Sequence, residues 1–477
     1  MQKLFSALFK SKKPDRDNIA DSISDDPHKA AYNKLRAPSN HHSACFAPSV
    51  NMLFATDGTV KACCHNSENI LGQYPMQSIS EIWNSEAAKV FRENLRDFKF
   101  LSGCSGCARD FVEGHYDQMP AMHFDTLPRS ADYPTMMEFL ISNTCNLECI
   151  MCSGELSSSI RKNREKLPAL KSNYGPDFVD QLQEFIPHLK ETRFSGAGEA
   201  FSIDIYYSLW RTLTERNPEC LLVVQTNGTV LNARVRDHLE SGNFQIGVSL
   251  DSLKKETFEA IRLNASFESV MQNIAYFAAY SHEKGRVFTI STCVMRQNWQ
   301  EMPDFVRYCN EIGAHIIFHK VWSPLSCALY NLSSSELNNI HSYLSSFSFP
   351  ADTPLEKRNS NTYKYFVSVI ERWMKDAVLK EQSGAEWQAL SDQELQTNIN
   401  ASIQSYIQEQ TMIESDREQL IELCISKFAR VMDMWTDQND KRKILLKISS
   451  IPVSEMIISL KVQPLEKLYE MSKTNQN

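Results

Sequence analysis

The residues best placed to do chemistry are three cysteines. In Cys145-Asn-Leu-Glu-Cys149-Ile-Met-Cys152 the thiols are spaced C-x3-C-x2-C. Three thiolates at this spacing can hold three irons of a [4Fe–4S] cluster. The fourth iron then lacks a protein ligand, and an open metal position is what admits a small molecule. The alternatives are a zinc site or a plain electron-transfer cluster. Zinc would want a fourth nearby ligand, and no His or Cys lies close by in sequence.

A second set stands upstream: Cys45, Cys63 or Cys64, Cys104 and Cys107. Cys104-x-x-Cys107 is a chelating pair, and a hairpin turns Cys63 back toward Cys45. Four thiolates suit an iron–sulfur cluster or Zn(Cys)4, and either would stabilise a small unit. The chain has 13 cysteines and no evident export signal, so metal binding or catalysis is expected rather than disulfides. Cys220, Cys293, Cys309, Cys327 and Cys424 stand singly and read as small buried hydrophobes.

The elements that must position these groups come next. The length of 477 residues suggests two to four domains. With 42% hydrophobic and 23% charged residues, a sizeable core can form. The charge of −8 argues against a general nucleic-acid binder. No run is apolar enough to span a membrane, and the expected location is cytoplasmic. Residues 1–40 read as a mobile tail and linker.

Residues 41–113 read as a cysteine-rich module. In it Val50, Met52 and Phe54 alternate before the Asp57-Gly58 turn, a hairpin signal. A helix capped by Ser80 is expected to bury Ile82, Trp83, Ala87, Val90 and Phe91. Residues 114–134, with three prolines, read as a linker.

From 135 to 322 strands alternate with helices. The strands are expected at Thr135–Ser142, Thr192–Ser195, Leu221–Thr226, Phe244–Asp251, Val287–Val294 and His315–Val321. Such alternation predicts an α/β fold with a parallel sheet, here an open, partial (β/α)6 barrel. Residues 323–477 read as a helical extension, opened by the capping box Ser333-x-x-Glu336.

Several polar motifs fall at strand C-terminal ends, where α/β proteins gather their functional groups. The second strand leads into Ser195-Gly-Ala-Gly198-Glu199-Ala, and the third ends Gln225-Thr226-Asn227-Gly228. On the fourth, Phe244, Ile246, Val248 and Leu250 point toward the helices. Gln245, Gly247, Ser249 and Asp251 point to the interior, where hydroxyl and carboxylate suit a ribose diol.

With these motifs in order, the chain resembles the radical S-adenosylmethionine (SAM) enzymes over about residues 135–322. The resemblance implies that Cys145, Cys149 and Cys152 ligate the cluster and that SAM chelates its open iron. Gly198 and Glu199 match the family's GGEP motif, which contacts the methionine amino group, although this chain reads AGEA. Met151 stands where backbone lies near adenine. Thr226, Asn227, Ser249 and Asp251 stand where relatives contact ribose or methionine. Cys45, Cys63, Cys104 and Cys107 resemble a twitch or SPASM-type auxiliary module, placed before the barrel, implying one auxiliary [4Fe–4S] cluster, with zinc as the alternative.

The chemistry implied is reductive cleavage of SAM to a 5′-deoxyadenosyl radical that abstracts hydrogen from substrate. A reduced flavodoxin- or ferredoxin-type protein is the expected electron donor. Peptide or protein maturation is the expected role. The alternatives are a sugar, nucleoside or other small-molecule substrate, and a non-catalytic iron–sulfur or zinc scaffold. Glu138, Ser142, Arg193, Ser291, His319 and Trp322 are candidates to face the substrate.

Overall fold

The structure is a computed structural model. It describes residues 27–449 apart from 67, 101, 102, 113, 131, 389 and 409–413, and scattered positions from 453 to 472. The N-terminal part of the expected tail therefore lies outside the described residues. The chain divides into two units, 1–329 with 344–367 and 330–343 with 368–477.

One nine-stranded sheet organises the first unit. Its strands are β1 (Asn51–Ala55), β2 (Thr59–Lys61), β3 (Ile70–Gln73), β4 (Met136–Leu140), β5 (Glu191–Phe194), β6 (Leu221–Thr226), β7 (Phe244–Ser249), β8 (Phe288–Val294) and β9 (Ala314–Lys320). The order is β3-β2-β1-β4-β5-β6-β7-β8-β9. From β4 to β9 every neighbouring pair is parallel, as in the expected partial barrel.

Period-two alternation decides which side chains face inward. Phe244, Ile246 and Val248 are fully buried against the helices, while Gln245 and Ser249 on the other face stay half-open. Register places Glu138 beside Arg193, Ser249 beside Ser291 and Cys293 beside His319. The inner face is thus polar along most of its width.

The cysteine-rich segment is not a separate body on a linker. Its β1 runs parallel to β4, from Asn51 opposite Met136 to Ala55 opposite Leu140. The hairpin partners β2 and β3 then extend the same sheet antiparallel. Asn51 to Phe54 are all buried, the pattern of a strand covered on both faces rather than of a half-exposed hairpin.

The expected flanking linkers also pack. Tyr32 is fully buried and donates to the Ala44 carbonyl at 3.1 Å. The Arg36 guanidinium meets Asp125 at 2.5 and 2.8 Å, with Asp125 inside the expected 114–134 linker. Low apolar content hid this, because the anchor is a buried ion pair with an aromatic ring beside it.

The helix expected near Ser80 is two helices, Ile79–Trp83 and Glu86–Arg96. Ser78, not Ser80, caps the first in a capping box with Glu81, and Ser85 caps the second. The break rotates the apolar stripe, so Ala88 and Leu95 are buried while Ala87 and Val90 are exposed. The helix Met302–Glu311 ends as expected before Gly313, at φ +71°.

The second unit is helical and has its own core. Leu395, Ile399 and Ile403 form one stripe of Asp392–Gln408. They cluster with Cys424 and Phe428 of Glu414–Asp433 and with Leu445 of Gln438–Ser449. The Ser333–Glu336 capping box is present, with Ser333 N donating to Glu336 Oε2 at 3.0 Å and Glu336 N to Ser333 Oγ at 3.3 Å.

Candidate iron–sulfur and SAM site

The three-cysteine loop leaves the C-terminal end of β4 and is held by backbone on both sides. Glu148 N donates to Leu263 O at 3.1 Å and Ile150 N to Ile261 O at 3.0 Å. Ser157 Oγ donates to Leu147 O, and Ser159 Oγ to Cys145 O, both at 2.7 Å. These bonds fix where the thiols point before any ligand arrives. Cys149 is buried, and Cys145 and Cys152 are half-buried.

The donor set fits an iron–sulfur cluster. Burial pushes the Cys149 thiol up to about 12, and the Cys152 and Cys145 sulfurs facing it add to that. Leu147 N reaches Cys145 Sγ at 3.5 Å and Asn227 Nδ2 reaches it at 3.9 Å. Backbone and amide N–H groups aimed at sulfur suit a thiolate and help set a cluster's potential. Among the described residues no three His, Cys, Asp or Glu converge on a single ion.

The glycine loop after β5 lies against this segment. Gly198 has φ +69°, and a Cβ there would come within 2.7 Å of the Ser142 and Thr144 carbonyl oxygens. Only glycine lets the backbone pass so close. Glu199 N donates to Thr144 O at 2.7 Å. Its carboxylate is buried and accepts from Thr226 Oγ1 at 2.6 Å, Asn227 N at 2.6 Å and Phe201 N at 3.2 Å. Burial pushes the Glu199 carboxyl up, and these three bonds pull it back toward the ionised form. Three bonds hold this buried carboxylate in place at the end of β6, next to the Ser142–Thr144 segment.

Thr226 is buried and spends its hydroxyl on Glu199, so it positions that carboxylate. Asn227 Nδ2 also reaches Asn146 Oδ1, at 3.0 Å, which ties the end of β6 to the cysteine loop. Ser249 is half-open on the inner face and accepts from Gln225 Nε2 at 2.8 Å. Met151 packs with Ile150 and Cys293 against Ile261, Met295, Val321 and Cys327.

Asp251 requires a correction as a ribose contact. It is fully buried: Oδ1 accepts from Cys293 N at 2.7 Å, and Oδ2 lies 2.7 Å from Arg262 Nε. The Oδ2–Nε contact is ionic and lacks hydrogen-bond alignment. The Asp251 carboxylate is thus already engaged, by the Arg262 guanidinium and the Cys293 backbone. Arg262 is the residue that sequence reasoning missed. Burial works against its charge, but Asp251 and then Cys149 more than offset that and raise its pKa. It lies in Ile261-Arg262-Leu263, the stretch that grips the cysteine loop. A charged residue at the end of the helix Lys255–Ile261 gives no such signal in one sequence.

The upstream thiols also converge. Cys45, Cys63, Cys104 and Cys107 line one enclosed hollow with Phe91, Leu95 and Phe124, and Cys64 is outside it. Ala47 N reaches Cys45 Sγ at 3.3 Å and Asn66 Nδ2 reaches Cys104 Sγ at 3.1 Å. Burial pushes Cys63 to about 11 and Cys107 to about 12. Cys64 is the more exposed member of the pair, within electrostatic reach of Glu138 and Arg193. Burial pushes its thiol to about 12, with Glu138 adding to the rise and Arg193 opposing it.

The candidate substrate-facing side chains are placed as follows. Glu138 accepts from Asn51 Nδ2 at 2.6 Å. Arg193 pairs with Glu191 at 2.5 Å and meets His123 Nε2 at 2.7 Å. Ser142 Oγ and Thr144 Oγ1 lie 3.0 Å apart, Ser291 Oγ reaches Gln225 Oε1 at 3.4 Å, and His319 is open on β9. Trp322 is exposed just beyond β9.

Comparison with known proteins agrees with this arrangement. Residues 139–309 match the Radical SAM superfamily and residues 45–108 match the SPASM iron-sulfur cluster-binding domain. The first implies a [4Fe–4S] cluster with SAM and the second auxiliary iron–sulfur binding. The AdoMet-dependent heme synthase of Methanosarcina barkeri is 24% identical, over 39% of this chain and 50% of its own. The GTP 3′,8-cyclase of Helicobacter pylori is 26% identical, over 39% and 54%. The chain thus spans about half the length of the curated relatives it matches. Streptococcus suis SuiB bound to S-adenosylmethionine is 12% identical, over 54% of this chain and 60% of its own, with TM-score 0.32. No described helix is long and apolar enough to cross a membrane.

Proposed function

We propose that this chain, which carries a radical SAM domain behind an iron–sulfur cluster-binding domain, cleaves SAM reductively and acts on a peptide or protein. The observation that carries the reading is the three-cysteine loop lying against the Gly198-Glu199 turn at the C-terminal edge of parallel strands. When bound, the cluster and SAM supply one-electron cleavage of the sulfonium and hydrogen abstraction by the 5′-deoxyadenosyl fragment.

The chain's own residues bind and orient. Cys145, Cys149 and Cys152 hold three irons. Glu199 receives the methionine ammonium. Gly198 lets the loop approach. Ser249 offers a hydroxyl to the ribose, and Met151 places its backbone near the adenine. Asn227 braces the loop. Cys45, Cys63, Cys104 and Cys107 hold the auxiliary cluster, and a small flavodoxin- or ferredoxin-type protein supplies electrons. The polar inner face, with Glu138, Arg193 and His319, orients the substrate.

The auxiliary module supports a peptide substrate, since modules of its type accompany peptide maturation in the family it resembles. The curated relatives favour a second reading, because their names give a heme synthase and a GTP cyclase. Co-expression with short open reading frames beside the gene separates the two. A mass change in a peptide that disappears in Cys149→Ala supports the first. Turnover of a nucleotide or tetrapyrrole, with no peptide modified, supports the second.

A further inference from the structure

A cavity of about 630 Å³ opens at the C-terminal ends of β1 and β4, next to the cysteine loop. That volume falls within the usual range for small-ligand sites. Its lining has three cations, Arg161, Lys162 and Lys171, and no Asp or Glu, in a chain whose net charge is −8. Arg161 is committed, with Nη1 on Glu155 at 2.7 Å and Nε on the Pro168 carbonyl. No described ion pair engages Lys162 or Lys171. Hydroxyls of Ser142, Thr144 and Ser158 share the wall; the Ser142–Thr144 pair, 3.0 Å apart, uses one of its two protons and leaves the other to donate to an oxyanion.

The wall is also part of the radical site. Ser158 Oγ accepts from Cys145 N at 3.1 Å and donates to Cys145 O at 3.2 Å. Ser142 and Thr144 present the two carbonyls that crowd Gly198. A group held here lies one hydrogen bond from the first cluster ligand.

We propose that this cavity binds an oxyanion of the substrate, a carboxylate or a phosphate, with Lys162 and Lys171 as its charge partners. The inference rests on the radical SAM reading and names the chemistry of the substrate. It places the anionic part of the substrate on the β1–β4 side, against the Ser142–Thr144 segment, with SAM's ammonium at Glu199.

The test uses the full chain, reconstituted anaerobically, with three probes measured by calorimetry. They are an end-blocked Asp/Glu tetrapeptide, its Asn/Gln counterpart, and inorganic pyrophosphate. One anionic probe is expected to bind, the neutral peptide is not, and which anion binds tells carboxylate from phosphate. Lys162→Ala with Lys171→Ala should weaken that binding at least about tenfold, and added salt should weaken it further. SAM affinity should stay unchanged in the double variant.

Two results would overturn the proposal: anionic probes binding no better than the neutral one, or SAM affinity falling with the lysines, which would make the cavity part of the SAM site. Absence of SAM binding in the unsubstituted protein would count instead against the radical SAM reading itself.

Discussion

Asp251 and Arg262 form a buried ion pair at 2.7 Å, directly behind the three-cysteine loop. Both side chains are nearly inaccessible. Asp251 hangs from the end of β7 and is held by Cys293 N on β8. Arg262 sits between Ile261 and Leu263, whose carbonyls receive Ile150 N and Glu148 N. The pair therefore couples two strand ends to the loop that presents the thiols.

Removing one partner leaves the other charge buried and alone. Arg262→Gln should cost about 3–5 kcal/mol of stability, as broken buried pairs do. Arg262→Met combined with Asp251→Leu should cost less than Arg262→Gln, because no stranded charge remains. Urea titration of the three proteins checks this, and a single variant within about 1 kcal/mol of the parent would mean the pair carries little.

Gly198→Ala places a Cβ 2.7 Å from two carbonyl oxygens at φ +69°. The left-handed backbone alone costs about 1–2 kcal/mol, before the clash is counted. The loop should shift and SAM affinity should drop, while the sheet stays folded. Equilibrium dialysis with labelled SAM reads the affinity and circular dichroism the fold. Undiminished affinity would mean that this loop does not shape the SAM site.

Thr226→Val keeps the shape of residue 226 and deletes the 2.6 Å bond to Glu199. Loss of a hydrogen bond to a charged group costs about 1.5–3 kcal/mol. The expected readout is a weaker SAM Kd with cluster content unchanged. If iron is lost instead, the Glu199 network supports the cluster and not the methionine end.

Cys63 and Cys64 should behave differently. Cys63 lines the enclosed hollow and Cys64 does not. Cys63→Ala should therefore lose about four irons per chain, one [4Fe–4S] equivalent, while Cys64→Ala retains them. Iron analysis after reconstitution decides it, and equal losses would show that the two thiols share the site.

The barrel was legible because each strand carries its own apolar period and each glycine its own turn. Phe244-Gln-Ile-Gly-Val-Ser249 announces both faces of β7 without help from the rest of the chain. The cysteine spacings were legible because they are local. What could not be read depended on distant partners. The pairing of β1 with β4 joins residues some 85 positions apart, such as Leu53 and Glu138. Nothing local distinguishes that pairing from an isolated hairpin. Asp251 matched a familiar position, yet its partner Arg262 lies on another segment, and only packing shows that the carboxylate is already taken. Ser80 failed as a cap because three serines stand within eight residues, and backbone geometry chose Ser78 and Ser85.

The most direct measurement is an anaerobic assay of the reconstituted, dithionite-reduced protein with SAM, run beside Cys145→Ala, Cys149→Ala and Cys152→Ala. The account predicts 5′-deoxyadenosine and methionine from the parent and neither from any of the three variants. Cleavage that persists in all three variants would contradict it, because the open iron cannot be presented to SAM once a ligand of the loop is gone.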